Sequence, residues 1–134
     1  MLKYFNHKEF DCPGKPGTGE LMDNEFLKKL DKARGELMDN EFLKKLDKAR
    51  EIYGKPMRVN SGYRTKEHNT KIGGVKNSSH LIGLAADISC KSSGDRFAML
   101  NAFMQAGFKR IGVANSFIHV DTDEDKSQNI IWTY

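Results

Sequence analysis

The residues best placed to do chemistry lie in two short stretches, Ser78-Ser79-His80-Leu81-Ile82-Gly83-Leu84-Ala85-Ala86-Asp87 and Phe117-Ile118-His119-Val120-Asp121. His119 falls in the middle of an apolar run, where an unpaired imidazole costs free energy if it is buried. Two imidazoles and one carboxylate, from His80, His119 and Asp87, form the donor set of an open zinc site. Three protein ligands leave the fourth position to water, which suits hydrolysis rather than a structural staple. Each residue alone has an ordinary reading: His80 caps a loop, Asp87 caps a helix, His119 is a satisfied core residue. Residues 84–90 argue for the set, because they read as a buried strand in which a carboxylate requires a charged or metal partner. Gly83 and the paired alanines leave room for a close turn, so that His80 faces back onto Asp87.

The pattern Ser78-x-His80-x-x-Gly83-x-Ala85-x-Asp87 resembles, position for position, the signature of the zinc D-alanyl-D-alanine carboxypeptidase family. The wider clan of that family includes lysostaphin-like peptidases and the hedgehog fold. The resemblance runs from about residue 5 to residue 134 and takes in Ser61-Gly62-Tyr63-Arg64, His68-Asn69 and Phe117-Ile118-His119-Val120-Asp121. Short phage and prophage endolysin-like members look most similar. The resemblance implies one zinc ion on His80, Asp87 and His119. It also implies hydrolysis of peptidoglycan stem peptides through a zinc-activated water, by a D-Ala-D-Ala carboxypeptidase or an L-alanyl-D-glutamate endopeptidase. Arg64 then binds substrate and stabilises charge, since a guanidinium fork suits both a peptide carboxylate and an oxyanion. Ser78 and His68 join it as substrate-binding candidates, although His68 also reads as an exposed helix residue.

Many members of the family carry Glu or Asp three residues before the last histidine ligand. Here that position is Ser116, whose hydroxyl has no suitable pKa for a general base. Asp121, two residues beyond His119 and on the same face of a strand, is the candidate that takes the proton, or else it is an acceptor that holds an imidazole in place. A second functional class therefore stands beside the peptidase: a zinc-containing cell-wall binding module that has kept fold and metal without the base.

Length and composition narrow the remaining choices. The 134 residues are enough for a single core and a single domain. A net charge of +4 and a pI near 9.0, without an aromatic and basic stripe, do not imply nucleic-acid binding and suit an anionic cell wall. Cys12 and Cys90 are too few for a disulfide framework or a cysteine zinc site; both read as free thiols, with a bridge between them left open. The first ten residues lack the apolar run of a signal peptide, and no stretch is long enough to span a membrane. Cytoplasmic synthesis is the expectation, and the resemblance adds release onto the cell wall, for example during phage lysis.

The elements that position these residues form an α+β order, helices packed on a largely antiparallel sheet. Residues 2–12 read as a short arm and 13–19 as a loop. Strands are expected at 57–60, 84–90, 109–114, 116–121 and 129–134, and a short helix at 65–72 before Gly73-Gly74. A further helix follows the capping-box spacing of Ser92 and Asp95, with Phe97, Leu100, Phe103 and Met104 expected to face inward. One feature is unusual: residues 19–34, GELMDNEFLKKLDKAR, recur unchanged as 35–50. A perfect tandem pair is not a solenoid, which needs at least about three divergent units. Each copy carries an N-cap, Asp23 or Asp39, and an apolar stripe, Phe26, Leu27 and Leu30 or Phe42, Leu43 and Leu46. A shift of 16 residues turns such a stripe by roughly 160°, so one straight helix does not offer both stripes to one core. The second copy runs without a break into Glu51-Ile52-Tyr53, so 19–34 reads as the inserted copy, its unpartnered stripe open to self-association.

Overall fold

The computed structural model describes residues 38–134. The amino-terminal arm, Cys12 and the first copy of the repeat lie outside the described residues. The second copy supplies helix α1 (Asn40–Tyr53). The Asp39 carboxylate accepts from the Phe42 amide at 2.9 Å, and Gly54, at φ 77°, ends the helix by donating to the Arg50 carbonyl. Met38, Phe42, Leu43, Leu46 and Ala49 of this copy are buried, so its stripe fills the helical seat of the core.

Four elements follow: strand β1 (Val59–Ser61), helix α2 (Lys66–Lys71), a 3-10 turn (Ser79–Ile82) and strand β2 (Ala85–Ser89). Helix α3 (Ser93–Gln105) then leads to β3 (Arg110–Val113), β4 (Phe117–Asp121) and β5 (Ile130–Thr133). Among the described residues each expected strand and helix is present, with ends that differ by one or two residues; β1 starts two residues later than expected and runs one further, to Ser61. The strands form one sheet in the order β1-β2-β4-β3-β5, antiparallel except where β5 joins β3 in parallel. The architecture is α+β, with α1 and α3 packed together and the core beneath them.

Helix α3 corrects one expectation. Ser92 caps it as the spacing indicates, accepting from the Asp95 amide. Its buried residues, however, are Met99, Ala102 and Phe103, whereas Phe97 is 79% and Met104 59% exposed. The contact that sets this rotation is aromatic: Phe103 and Phe42 both meet the ring of Phe108 edge-on, at 5.6 and 5.8 Å, and Phe108 lies beyond the helix.

Period-two alternation divides the sheet into two faces. Ala86, Ile88, Ile118, Val120 and Ile111 point into the core. The opposite face carries the polar residues in registered rows. Ser61, Asp87, His119, Gly112 and Trp132 are successive partners across all five strands, and Ala85, Asp121, Arg110 and Ile130 form the neighbouring row. Fold and site are thus set by the same alternation.

Candidate metal centre

Asp87 on β2 and His119 on β4 are direct cross-strand partners, and the 3-10 turn brings His80 over them. That turn is short because both of its ends are fixed. The Ser78 hydroxyl accepts from the His80 amide, and Gly83, at φ 72°, adopts the left-handed conformation that reverses the chain into β2. One ligand atom from each of His80, Asp87 and His119 lies within 4.8 Å of the other two.

The hydrogen bonds around the three residues show which atoms are committed. His80 Nδ1 donates to the Gly62 carbonyl at 2.7 Å. A carbonyl only accepts, so the proton of the neutral ring is on Nδ1 and Nε2 carries a lone pair. That Nε2 is buried without a hydrogen-bond partner, 3.3 Å from Asp87 Oδ1 but not aligned with it for a bond. Burial is the main reason that the His80 pKa is lowered, against the pull of Asp87, and this keeps the ring neutral. A lone pair facing a carboxylate in a buried site is repulsive unless a cation lies between them, so the donor set fits a metal ion.

His119 lies between two carboxylates. Its Nδ1 is 2.9 Å from Asp87 Oδ1, and its Nε2 donates to Asp121 Oδ2 at 2.7 Å. Burial lowers its pKa, but the hydrogen bonds to Asp121 and then Asp87 outweigh burial and raise it. For Asp87, burial acts upward and is outweighed by the neighbouring imidazoles, His119 first and then His80, leaving the carboxyl well below the usual range. Asp121 follows the same pattern, with burial opposed first by His119. Asp121 fixes Nε2, so the nitrogen turned toward Asp87 is Nδ1, and a metal there would replace the contact with the carboxylate, an arrangement that orients a ligand and makes it more basic.

Asp121, expected as the general base or as an acceptor that holds an imidazole, is already engaged on both of its oxygens. The residue is 1% exposed, one oxygen is taken by His119 Nε2, and the other accepts from Arg110 Nε at 2.7 Å and from the Asp123 amide. It meets the imidazole at Nε2, the nitrogen opposite the one beside Asp87. Ser116 precedes β4 and does not line the cleft, in which the carboxylates are Asp87 and Asp121.

Arg64 reaches the centre from the loop after β1. Its guanidinium donates to Ser61 Oγ at 3.2 Å, to Asn69 Oδ1 at 3.1 Å and to Asp87 Oδ2 at 3.4 Å. Asn69 is buried, and its amide nitrogen donates to the Val75 carbonyl, so α2 and the loop behind it hold the arginine in place. Ser78 lines the cleft while its hydroxyl caps the 3-10 turn. His68, the other substrate-binding candidate, lies on α2 outside the cleft lining, because the helix turns Asn69 inward instead.

Four residues of the site go unrecognised in the sequence reading. Asn69 holds Arg64, Arg110 holds Asp121, and Trp132 stands against His119. Asp123 is the fourth. It reads as part of a solvated acidic turn with Glu124 and Asp125, yet it is 4% exposed and accepts from Ser79 Oγ at 2.8 Å, tying the turn that carries His80 to the end of β4. The spacing of Asp121 and Asp123 is the available signal, since alternation past the strand end keeps both inward.

The cleft holds about 400 Å³ and is lined by the three candidate ligands with Arg64, Ser78 and Trp132 among others. A second cavity of about 490 Å³ shares Arg64, Ser78 and Lys126 with it and adds Lys66 and Lys76. A His-Asp-His cluster able to hold a metal ion, beside a fixed arginine and an open cleft, has the donor types of a hydrolytic metal site. The chain belongs to the Peptidase M15 family, which matches residues 5–121. It is also similar to a zinc D-Ala-D-Ala carboxypeptidase of Streptomyces albus G, with 40% identity over 57 residues, which are 42% of this chain. The match spans 22% of the length of that relative. Among the described residues, no helix is long and apolar enough to cross a membrane.

Proposed function

We propose that the chain is a zinc metallopeptidase that hydrolyses peptidoglycan stem peptides, with one zinc ion held by His80 Nε2, Asp87 and His119 Nδ1. The observation that carries this reading is the buried lone pair of His80, facing the Asp87 carboxylate beside a fixed arginine. The family and the printed name of the Streptomyces relative support it. Zinc, when bound, supplies a Lewis acid that polarises a peptide carbonyl and lowers the pKa of water toward about 7.

The protein's own residues do the rest. Arg64 is aimed along the Asp87 side of the centre, where a guanidinium suits a peptide carboxylate or the oxygen on which charge develops. Gly62 and Asp121 hold the two imidazoles at the nitrogens that face away from the metal. The adjoining cavity takes the rest of the peptide, and Lys66 and Lys76 at its wall suit a substrate that carries carboxylates. Whether the scissile bond joins two D-alanines or follows L-alanine, as in phage endolysins acting on a wall after release, is set by how far the peptide extends into that cavity.

A second reading, a zinc-containing binding module without turnover, is favoured by one observation: both carboxylates of the cleft are already committed. The two readings separate when synthetic stem peptides and purified cell wall are incubated with the protein and products are read by mass spectrometry. The expected result is a peptide cut at a single bond, lost with chelator and restored by zinc. Arg64→Ala is expected to lower turnover roughly 10²-fold without loss of metal. Wall binding that survives while no peptide is cut supports the binding module instead.

A further inference from the structure

We infer that Trp132 is a positioning residue for the metal ligand His119, and that Gly112 lacks a side chain because the indole must cross its place in the sheet. The inference rests on the proposed metal centre but concerns residues outside the ligand set. Its origin is the registered row on the site face, in which His119 on β4 is paired with Gly112 on β3, and Gly112 with Trp132 on β5. Side chains at such positions stand side by side on one face, so the central residue would normally separate its neighbours. Here the centre is empty and the indole fills it. A Cβ on Gly112 would lie 2.6 Å from Cε2 and Nε1 of Trp132 and 2.8 Å from Cζ2. Those atoms belong to a rigid ring, not to the end of a flexible side chain, so no small adjustment admits even a methyl group.

The crossing brings Trp132 to His119, with ring centroids 5.5 Å apart. The His80 ring meets the same imidazole at 5.2 Å. Hydrogen bonding of His119 Nε2 to Asp121 fixes where that nitrogen points but leaves the ring free to swing about the bond, and packing against Trp132 and His80 limits the swing. Trp132 also lies under the Arg110 guanidinium, whose Cζ is 5.0 Å from the ring centroid. The same guanidinium donates to Asp121 and to the Ser127 carbonyl. Trp132, Arg110, Asp121 and His119 therefore form a closed circuit in which the indole touches both ends. The parallel addition of β5 to the sheet edge delivers the residue, which gives this one parallel pairing a use in the site.

Trp132 is the sole tryptophan of the chain, so its emission reports on this position alone. The test is a zinc titration of the chelator-treated full-length protein, followed by tryptophan emission and by competition with a chromophoric chelator. Wild type is compared with Trp132→Phe, Trp132→Ala, Gly112→Ala and the double variant Gly112→Ala/Trp132→Ala. Wild-type emission is expected to change and to saturate as the site fills. Gly112→Ala and Trp132→Ala are each expected to weaken zinc binding roughly 10- to 100-fold, the range for residues that orient a ligand. Trp132→Phe keeps an aromatic face and should lose less. The double variant should bind no worse than Trp132→Ala, because Gly112 acts only through the indole. Circular dichroism of the metal-free proteins checks folding, and Trp132→Phe decides the matter if the alanine variants do not fold. Unchanged zinc affinity in Trp132→Ala, or in Trp132→Phe together with emission blind to zinc, overturns the inference alone. Failure of folded wild type to bind zinc overturns the metal centre and the inference with it.

Discussion

Asp87→Ala is expected to lower hydrolysis of stem peptides by roughly 10³-fold or more, the several kcal/mol of transition-state stabilisation that a metal site supplies. The Asp87 carboxylate faces His80 Nε2, lies 2.9 Å from His119 Nδ1 and accepts from the Arg64 guanidinium. Without it, His80 and Arg64 lose the carboxylate they face, His119 keeps only Asp121, and a zinc ion would lose the ligand that balances its charge. Asp87→Asn keeps the shape and removes the charge, so it should be nearly as damaging. Peptide cleavage followed by mass spectrometry measures both. Activity of Asp87→Ala within tenfold of wild type would mean that the reaction does not use this centre.

The largest effect on stability is expected from Phe42→Asp combined with Leu46→Asp. Both side chains are fully buried beneath α1, and Phe42 packs on the Phe108 ring. Truncating such residues to alanine costs about 2–5 kcal/mol each, and placing carboxylates there adds the cost of buried charge. The total exceeds the roughly 5–15 kcal/mol that holds a domain of ordinary stability together, so the double variant should be unfolded by circular dichroism at room temperature. The equivalent changes in the first copy, Phe26→Asp with Leu30→Asp, should leave the thermal midpoint within a few degrees and affect only self-association. This contrast follows from the second copy occupying the helical seat, and it tests the proposal that 1–134 is one domain carrying an inserted 19–34. Equal, severe destabilisation by both pairs would show that both copies are built into the core.

The sequence carries much of this structure in its alternation and its caps. Asp39 and Ser92 start their helices where the spacing places them, and Ala85 to Ser89 reads as a strand because small and β-branched residues surround a lone carboxylate. His80, Asp87 and His119 stand out because each is a costly residue in an apolar or tightly turned context. What escapes the sequence depends on distant pairing. Trp132 is an ordinary strand residue until β5 joins β3 in parallel and sets it beside Gly112. Arg110 and Asp121 are eleven residues apart, and only the hairpin of β3 and β4 makes them an ion pair. The place of Asp121 also turns on which nitrogen of His119 it meets, Nε2 rather than Nδ1, and residue type does not decide that. Phe97 and Met104 are misread for a related reason: the rotation of α3 is set by Phe108, beyond the helix whose periodicity is being read.

The central claim, a single zinc centre built from His80, Asp87 and His119, is most directly tested by metal analysis of the full-length protein purified without chelator, beside His80→Ala and His119→Ala. The expected result is about one equivalent of zinc in the wild type and less than about a tenth in either variant, with folding retained by circular dichroism. Folded wild-type protein without zinc affinity, or variants that keep a full equivalent, would contradict it.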